Sequence, residues 1–498
     1  MDIMNFIEHK LIKPNSIEIR EYQTNLANDV KNQNCLIVLP TGLGKTTIAL
    51  QVIVDYMQNG TGGVLFLAPT RVLVNQHYEF LKENLLIADI GIVTGEDLLS
   101  KRKKKWMNSV VCATPEITKN DFARNMVSPN QFALVVFDEA HRTVGDYAYS
   151  IIAEYFQNTD TRILAMTATL PSEKEKAKEI VTRLRIKNLI ERSDESPDVK
   201  PYIQKTETEW VRVDLTKEMK AIQMCIKLAL EERYKELRKN GLRLSDNKSL
   251  SQLLNARQYV LTQNRRSAKP LFTAIRITYA LNIFEAHGIT PFLKFCDRTK
   301  EKKGAGIKDL FETDPNFTRA ISLAKNQQSN GLEHPKIDRL VDILHDVESK
   351  VLIFSSYRDS VNVIHQKLLG MNISAEILIG KSGETGLKQK KQIETVQRFR
   401  DGVTKALIAT RVGEEGLDIS EVNLVIFYDN VPSSIRFIQR KGRTGRKDKG
   451  RLIVLIAKNT IDETYYFIGK RKIESAKNMG DKMIKHLGKD EKVLDDFF

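Results

Sequence analysis

Residues 35–47 read Cys-Leu-Ile-Val-Leu-Pro-Thr-Gly-Leu-Gly-Lys-Thr-Thr. The apolar run from Cys35 to Leu39 predicts a buried strand, and Pro40 ends it. Gly42 and Gly44 let the chain turn tightly with its N–H groups facing inward. Lys45, Thr46 and Thr47 then open a helix that Ile48, Ala49, Val52 and Ile53 carry on. Strand, loop and helix in this order predict a phosphate cradle over Pro40, Thr41, Gly42, Leu43, Gly44, Lys45, Thr46 and Thr47. Backbone N–H groups would hold the phosphates, Lys45 would reach the β and γ oxygens, and the Thr46 hydroxyl would ligate Mg²⁺. The strict Gly-x-x-x-x-Gly-Lys-Thr pattern is not met, because Leu39 stands in place of its first glycine.

Four further apolar runs follow at 64–68, 110–113, 133–137 and 162–166. They end in Pro69-Thr70-Arg71, Thr114-Pro115-Glu116, Asp138-Glu139-Ala140-His141 and Thr167-Ala168-Thr169. Short apolar strands alternating with helical stretches predict a parallel α/β sheet, where function gathers at the carboxyl ends of the strands. Asp138 is expected to hold Mg²⁺, and Glu139 to polarise the water that attacks the γ-phosphate. His141 is expected to couple nucleotide state to neighbouring groups. Residues 1–34 read as a helical lead-in, with Gln23 a candidate reader of the adenine edge through its amide. The five cations at 101–105 follow Thr94-Gly95-Glu96 and read either as a solvated face or as a contact to phosphate backbone.

The prolines of Ser196-Pro197-Asp198-Val199-Lys200-Pro201-Tyr202 make a stiff connector, and 210–215 form a short alternating strand. Between 216 and 331 the period changes. Met219, Ile222, Ile226, Leu230 and Leu237 mark one helix before Gly241, and Leu250, Leu253, Leu254 and Leu261 a second. Leu271, Ile275, Tyr279 and Ile283 mark a third, stopped by Gly288, and Ile321 and Leu323 belong to a fourth before Gly331. Residues 204–334 carry 24 Lys and Arg against 15 Asp and Glu, a net +9 of the chain's +15. This basic helical insert reads as a DNA-gripping domain or as a spacer. From 335 the α/β rhythm returns, with strands at 351–355, 375–379, 406–409, 424–428 and 452–456 and no second phosphate loop. Arg443 and Arg446 lie three apart on a predicted helix and share a face, as arginine fingers aimed at a nucleotide on the first unit would.

Length and composition bound the class. A chain of 498 residues suggests about three domains. Hydrophobic content of 41% and charged content of 28% fit a globular protein, and no apolar stretch reaches the 18 residues of a membrane span. The first ten residues lack the basic start and long apolar core of a signal peptide. Cys35, Cys112, Cys225 and Cys296 are widely spaced, which favours buried reduced thiols over a zinc site. A pI near 9.3 favours a polyanionic partner.

Taken together, the blocks resemble a superfamily 2 helicase of the DEAH-box type. They are Gln23, residues 40–46, Ala68-Pro69-Thr70-Arg71, Thr94-Gly95-Glu96, Ala113-Thr114-Pro115, Asp-Glu-Ala-His at 138–141, Thr-Ala-Thr at 167–169, the stretch 409–419 and Gln-x-x-Gly-Arg-x-Gly-Arg at 439–446. Over about residues 15–475 the chain is similar to the helicase portion of archaeal Hef, a relative of the Fanconi anaemia group M translocase. Phe-Asp-Glu-Ala-His-Arg, Trp-Val-Arg-Val-Asp-Leu, Gly-Leu-Glu-His-Pro-Lys and Val-Pro-Ser-Ser-Ile-Arg carry that similarity.

The resemblance implies an α/β fold with two RecA-like parallel-sheet domains, 1–202 and 335–475, an all-helical insert at 203–334, and a charged tail at 476–498. ATP and Mg²⁺ are the implied cofactors, with Gly416 and Asp418 near the nucleotide and Gln439 beside Arg443 and Arg446. Thr70, Arg71, Thr94, Gly95 and Thr114 on the first domain, with Ser355, Thr410 and Arg411 on the second, would line one strand's backbone. The implied activity is remodelling of forks, Holliday junctions and single-strand/duplex boundaries, moving 3′ to 5′, in a cytoplasmic, nucleoid-associated protein of an archaeon. The nuclease signature of longer Hef chains does not occur in these residues, so no cleavage is expected. Glu491-Lys492-Val493-Leu494-Asp495-Asp496-Phe497-Phe498 resembles a sliding-clamp motif in which Leu494, Phe497 and Phe498 form the plug; packing on its own domain is the alternative. Two other functions stay open: a double-stranded-RNA-dependent helicase, and a junction-binding scaffold without turnover.

Overall fold

Strands that are apolar along their whole length need cover on both faces. The computed structural model, which describes residues 5–59, 62–203, 206–245, 249–304, 306–380, 389–413, 422–441 and 450–487, supplies it twice. The first sheet holds β1 (Cys35–Val38), β2 (Gly63–Leu67), β3 (Ile90–Val93), β4 (Val110–Ala113), β5 (Phe132–Asp138), β6 (Arg162–Thr167) and β7 (Asn188–Glu191). All pairs are parallel, in the order β3-β4-β2-β5-β6-β1-β7. Side chains alternate between faces. Cys35, Ile37 and Leu39 enter one core, and Leu36 and Val38 the opposite one. Val38 lies opposite Thr167, and Asp138 opposite Met166. The loops after β1, β5 and β6 therefore emerge side by side.

Edge strands β3 and β7 carry no continuous apolar run and were not legible as strands. Each is only partly covered, so Gly91, Asn188 and Glu191 are tolerated there. The lead-in is helical only over α1 (Glu21–Asp29). Before it, Pro14 and the left-handed Asn15 (φ 58°) break any helix, and the chain bridges Phe6 to Glu18 and Ile12 to Leu85. The phosphate-loop helix is α2 (Lys45–Asn59), and α3 (Arg71–Asn84) follows β2. The basic run forms α4 (Leu99–Lys105), but not as one uniform face. Arg102 is buried 3.3 Å from Asp121, and Lys105 pairs with Asp97 at 2.6 Å, which leaves Lys101, Lys103 and Lys104 exposed.

The second sheet is also parallel, in the order β10-β11-β9-β12-β13-β8. Its strands are β8 (Thr206–Val213), β9 (Val351–Phe354), β10 (Ala375–Leu378), β11 (Ala406–Ala409), β12 (Leu424–Phe427) and β13 (Gly450–Ala457). Here the expected boundary at 203 is corrected. β8 lies before the insert in sequence yet pairs with β13 along its whole length. An alternating strand has no stability alone and joins the nearest open edge. The insert proper begins at the helix Lys217–Lys239 and continues through Leu250–Thr262, Ala268–His287, Ile289–Lys300 and Pro315–Ser329. Thr216, Ser249 and Asp314 cap three of these by accepting backbone N–H bonds. Helix Ile289–Lys300 had no separate sequence signal. It starts directly after Gly288, whose φ of 96° turns the chain and whose missing Cβ would lie 2.9 Å from the His334 Cβ.

The insert is locked onto the second sheet by buried polar groups. His334 Nε2 donates to the Glu285 carbonyl at 3.0 Å, while its Nδ1 accepts the Lys336 N–H at 3.1 Å. Acceptance at Nδ1 requires the neutral ring, and burial holds its pKa well below the usual histidine value. The Glu285 carboxylate accepts from Ile461 N at 2.7 Å and from Gln223 at 2.7 Å. Lys336, fully buried, donates to Asp462 at 3.1 Å and to the Tyr428 carbonyl at 2.7 Å. Helix Ile461–Leu487 then runs through the expected boundary at 475 and back to the first domain, where Met483 is completely buried in its core. Residues 476–487 are thus part of a helix that straps the two sheets together, not of a tail.

Removing one partner of a buried ion pair strands the other charge in a dry interior. Lys336→Ala should destabilise the chain by about 3–5 kcal/mol, read as a fall in the urea midpoint. Lys336→Ala with Asp462→Ala should recover part of that loss; a single variant within the error of wild type would contradict the assignment.

Candidate functional site

The loop after β1 is shaped by two left-handed glycines, Gly42 (φ 93°) and Gly44 (φ 75°). Gly44 has a second constraint: a Cβ there would come 2.3 Å from the Gln23 amide nitrogen. Gln23 is buried and donates to the Leu43 carbonyl at 3.0 Å, beside a Tyr22 hydroxyl that donates to the same carbonyl at 2.7 Å. The amide expected to read a base edge thus braces the loop itself. Lys45, the first residue of α2, donates to the Leu39 carbonyl at 3.0 Å. The buried Thr41 hydroxyl makes no hydrogen bond among the described residues. A loop with a cation held by one neutral carbonyl and an orphaned donor fits a phosphate group.

Asp138 ends β5 and is buried. The sequence did not single out the residue that joins it to Thr46. His77, two turns into α3, lies 3.3 Å from the Thr46 hydroxyl through Nδ1 and 2.9 Å from the Asp138 carboxylate through Nε2. Its ring packs on Phe66 of β2, centroids 4.4 Å apart. A single histidine on a helix has no spacing pattern to betray it. Thr46 and Asp138 are hard oxygen donors, as Mg²⁺ prefers. Among the described residues no three His, Cys, Asp or Glu cluster as a complete metal cage, so a cation here would take its other ligands from phosphate and water.

Glu139 has a left-handed backbone (φ 54°), a conformation that costs a non-glycine residue about 1–3 kcal/mol and is found at functional sites. Burial alone would raise its carboxyl. His141, 3.2 Å away, with Lys45 and Arg142, outweighs burial and keeps it ionised well below the usual range. His141 Nδ1 also lies 3.0 Å from the Thr167 hydroxyl, tying the turn after β5 to the end of β6. An ionised, dry carboxylate beside a phosphate loop can accept a proton from water.

One helix away, Arg71, Gly95 and Thr114 line a cleft of about 470 Å³ with Pro69, Arg142 and Tyr147. Thr70 caps α3 by accepting from Leu73 N at 3.3 Å, and Thr94 N donates to Asp97 at 3.2 Å. Arg71 pairs with Glu96. Of the expected strand-path residues on this domain, Arg71, Gly95 and Thr114 line the cleft, and Thr70 and Thr94 precede Arg71 and Gly95 in the chain without lining it. On the second domain Arg411 is exposed, but Ser355 and Thr410 are buried and offer no surface in this arrangement.

The Gln439 helix (Ser434–Lys441) is anchored by a residue that sequence reasoning passed over. Arg440 is fully buried over the rings of Phe354 and Phe427, and donates to the Asp429 carbonyl at 3.1 Å and to Ser356 at 3.0 Å. Burial opposes ionisation of Asp429, but His287, Arg440 and the Ser356 side chain bring its carboxyl down to about 2. Gln439 itself is buried. Arg443, Arg446, Gly416 and Asp418 lie outside the described residues, as do Leu494, Phe497 and Phe498.

Comparisons with known proteins bear on the family and the fold. Residues 16–172 match the family model described as type III restriction enzyme, res subunit, and residues 335–448 match the helicase conserved C-terminal domain. The crystal structure of the Pyrococcus furiosus Hef helicase domain is 34% identical, with a TM-score of 0.66, covering 90% of this chain and 97% of that one. A protein of Methanocaldococcus jannaschii, named as a candidate ATP-dependent RNA helicase, is 36% identical over 93% of this chain and 60% of its own length. The ATP-dependent DNA helicase MPH1 of Pyricularia oryzae is 33% identical over 90% of this chain and 44% of its own length. The chain therefore spans about half the length of the curated relatives it matches.

Gly44→Ala would force an L-residue into the left-handed region, about 1–2 kcal/mol, and drive Gln23 off the loop. Binding of a fluorescent ATP analogue should weaken by about tenfold or more, measured by titration; unchanged affinity would show that the loop geometry is not the nucleotide determinant.

Proposed function

This chain belongs to the Hef/Mph1-like family of superfamily 2 helicases, and we propose on that premise that it is an ATP-driven motor that remodels forked and branched DNA. One observation carries the proposal. The phosphate loop and the Asp138-Glu139 turn leave the carboxyl ends of β1 and β5, with only β6 between them in one sheet, and an arginine-lined cleft lies one helix away. Nucleotide chemistry and strand grip thus share a single rigid scaffold.

Lys45 would exchange the neutral Leu39 carbonyl for phosphate oxygens, a stronger charge-assisted partner. Thr46 and Asp138 would hold Mg²⁺, which supplies charge neutralisation on the phosphates when bound. Glu139, kept ionised, would orient the attacking water and take its proton. Arg443 and Arg446 would complete the site from the second domain, where a finger of this kind is worth on the order of 10³–10⁵ in rate. Strand contacts through Thr70, Arg71, Gly95 and Thr114 would fall on phosphate, which carries no sequence information, so branched substrates would be chosen by shape. The basic insert, bound rigidly to the second sheet, is the candidate junction reader.

A second reading, an RNA-driven motor, has one specific observation in its favour: the Methanocaldococcus relative bears an RNA helicase name. ATP hydrolysis should be stimulated more by forked DNA than by linear duplex or double-stranded RNA; equal or greater stimulation by RNA would reverse the choice. Glu139→Gln should lower kcat by about 10²–10⁴ while the ATP analogue still binds. Turnover near the wild-type rate would remove Glu139 from the chemistry.

A further inference from the structure

We propose that His77 is the positioning residue through which the strand-binding end of α3 sets the Mg²⁺ pair Thr46 and Asp138. The inference rests on the motor reading above and adds the connection that reading lacks. Helix α3 faces both sites. Arg71 at its start lines the cleft, and His77 lies on the phosphate-loop side about 9 Å further along the axis, at 1.5 Å per residue.

The two hydrogen bonds of His77 agree on one tautomer. Asp138 is buried and accepts, so Nε2 carries the proton; Nδ1 is then free to accept the Thr46 O–H. Thr46, donating to the ring, thereby keeps its lone pairs free to meet a cation. The imidazole stands between two metal ligands and orients both, as an outer-shell group does. Phe66 fixes the ring from the opposite side, on the strand that leads into Pro69 and Thr70. Any shift of α3 on binding a strand therefore moves the ring against Thr46 and Asp138 together. The helix offers no slack: Val74 and Leu81, on either side of His77, are completely buried in the first domain's core. Val72, one residue after Arg71, packs against the core of the second domain, so the same helix also registers how closely the two domains meet.

Two variants and two readouts test this. His77→Phe keeps a ring on Phe66 but removes both hydrogen bonds; His77→Gln retains one donor and one acceptor. The first readout is the Mg²⁺ concentration that half-saturates binding of a fluorescent ATP analogue without nucleic acid. The second is the fold-stimulation of ATP hydrolysis by single-stranded DNA at saturating Mg²⁺. For His77→Phe the Mg²⁺ requirement should rise by roughly 10–100-fold, and stimulation should fall by about tenfold, the size of an ordinary coupling free energy. DNA affinity without nucleotide should stay that of wild type, and His77→Gln should recover most of both losses. An unchanged Mg²⁺ requirement or unchanged stimulation in His77→Phe would overturn the proposal. So would a fall in DNA affinity matching the lost stimulation. If His77→Phe does not fold, His77→Gln decides alone: wild-type behaviour supports the role, and losses on both readouts overturn it. If the wild-type chain answers to RNA and not DNA, the motor's substrate changes, and the same comparison run with RNA still tests His77.

Discussion

A lysine with no exposed side-chain surface holds the second half of this protein in its shape. Lys336 brings its charge to a point where the helical insert, the end of β12 and the start of the last helix converge. Asp462 answers that charge and also accepts from Asn430 N, Asn430 Nδ2 and Ala457 N. A buried pair of this kind contributes little over a well-packed apolar cluster, yet it is intolerant of displacement, because each misplaced partner leaves an uncompensated charge. The neighbouring bonds from His334 and Ile461 to Glu285 extend the same intolerance into the insert. Five helices and a six-stranded sheet consequently form one body.

The first sheet is a second body, and its contacts with the other are of a different kind. Lys441 lies 3.8 Å from Asp194, and Lys472 3.7 Å from Glu173, both partly exposed pairs of small worth. Two apolar contacts differ from these: Val72 of α3 packs against the second domain's core, and Met483 of the C-terminal helix is buried in the first domain. Gly480 makes that approach feasible, since a Cβ there would collide with the Glu191 carboxylate. Surface pairs exchange readily with water, whereas the C-terminal helix joins the two bodies through a buried contact.

Much of the candidate site was legible because it consists of short motifs in a fixed local context. Strand, glycine turn and helix at 35–47, and Asp-Glu after an apolar run at 133–137, name their own chemistry. The residues that link those motifs were not legible. His77 and Arg440 are single polar residues on helices, and their partners Thr46, Asp138 and Ser356 lie tens of residues away in sequence. No periodicity records a contact of that separation. The same applies to β8, which reads as the head of the insert because it stands next to the insert in the chain.

The amino-acid sequence alone determined the two α/β rhythms, the helical and basic character of the insert, the phosphate loop and the acidic turn. These follow from local rules: apolar runs need cover, glycines permit tight turns, and carboxylates after strands gather at sheet ends. Tertiary structure alone decided that β8 closes the edge of the second sheet, that the insert moves with that sheet, that residues 476–487 strap the domains, and that an imidazole joins the two metal-ligand candidates. Each is a contact between segments far apart in sequence, and its energy comes from burial and hydrogen-bond partners that exist only once both segments have folded.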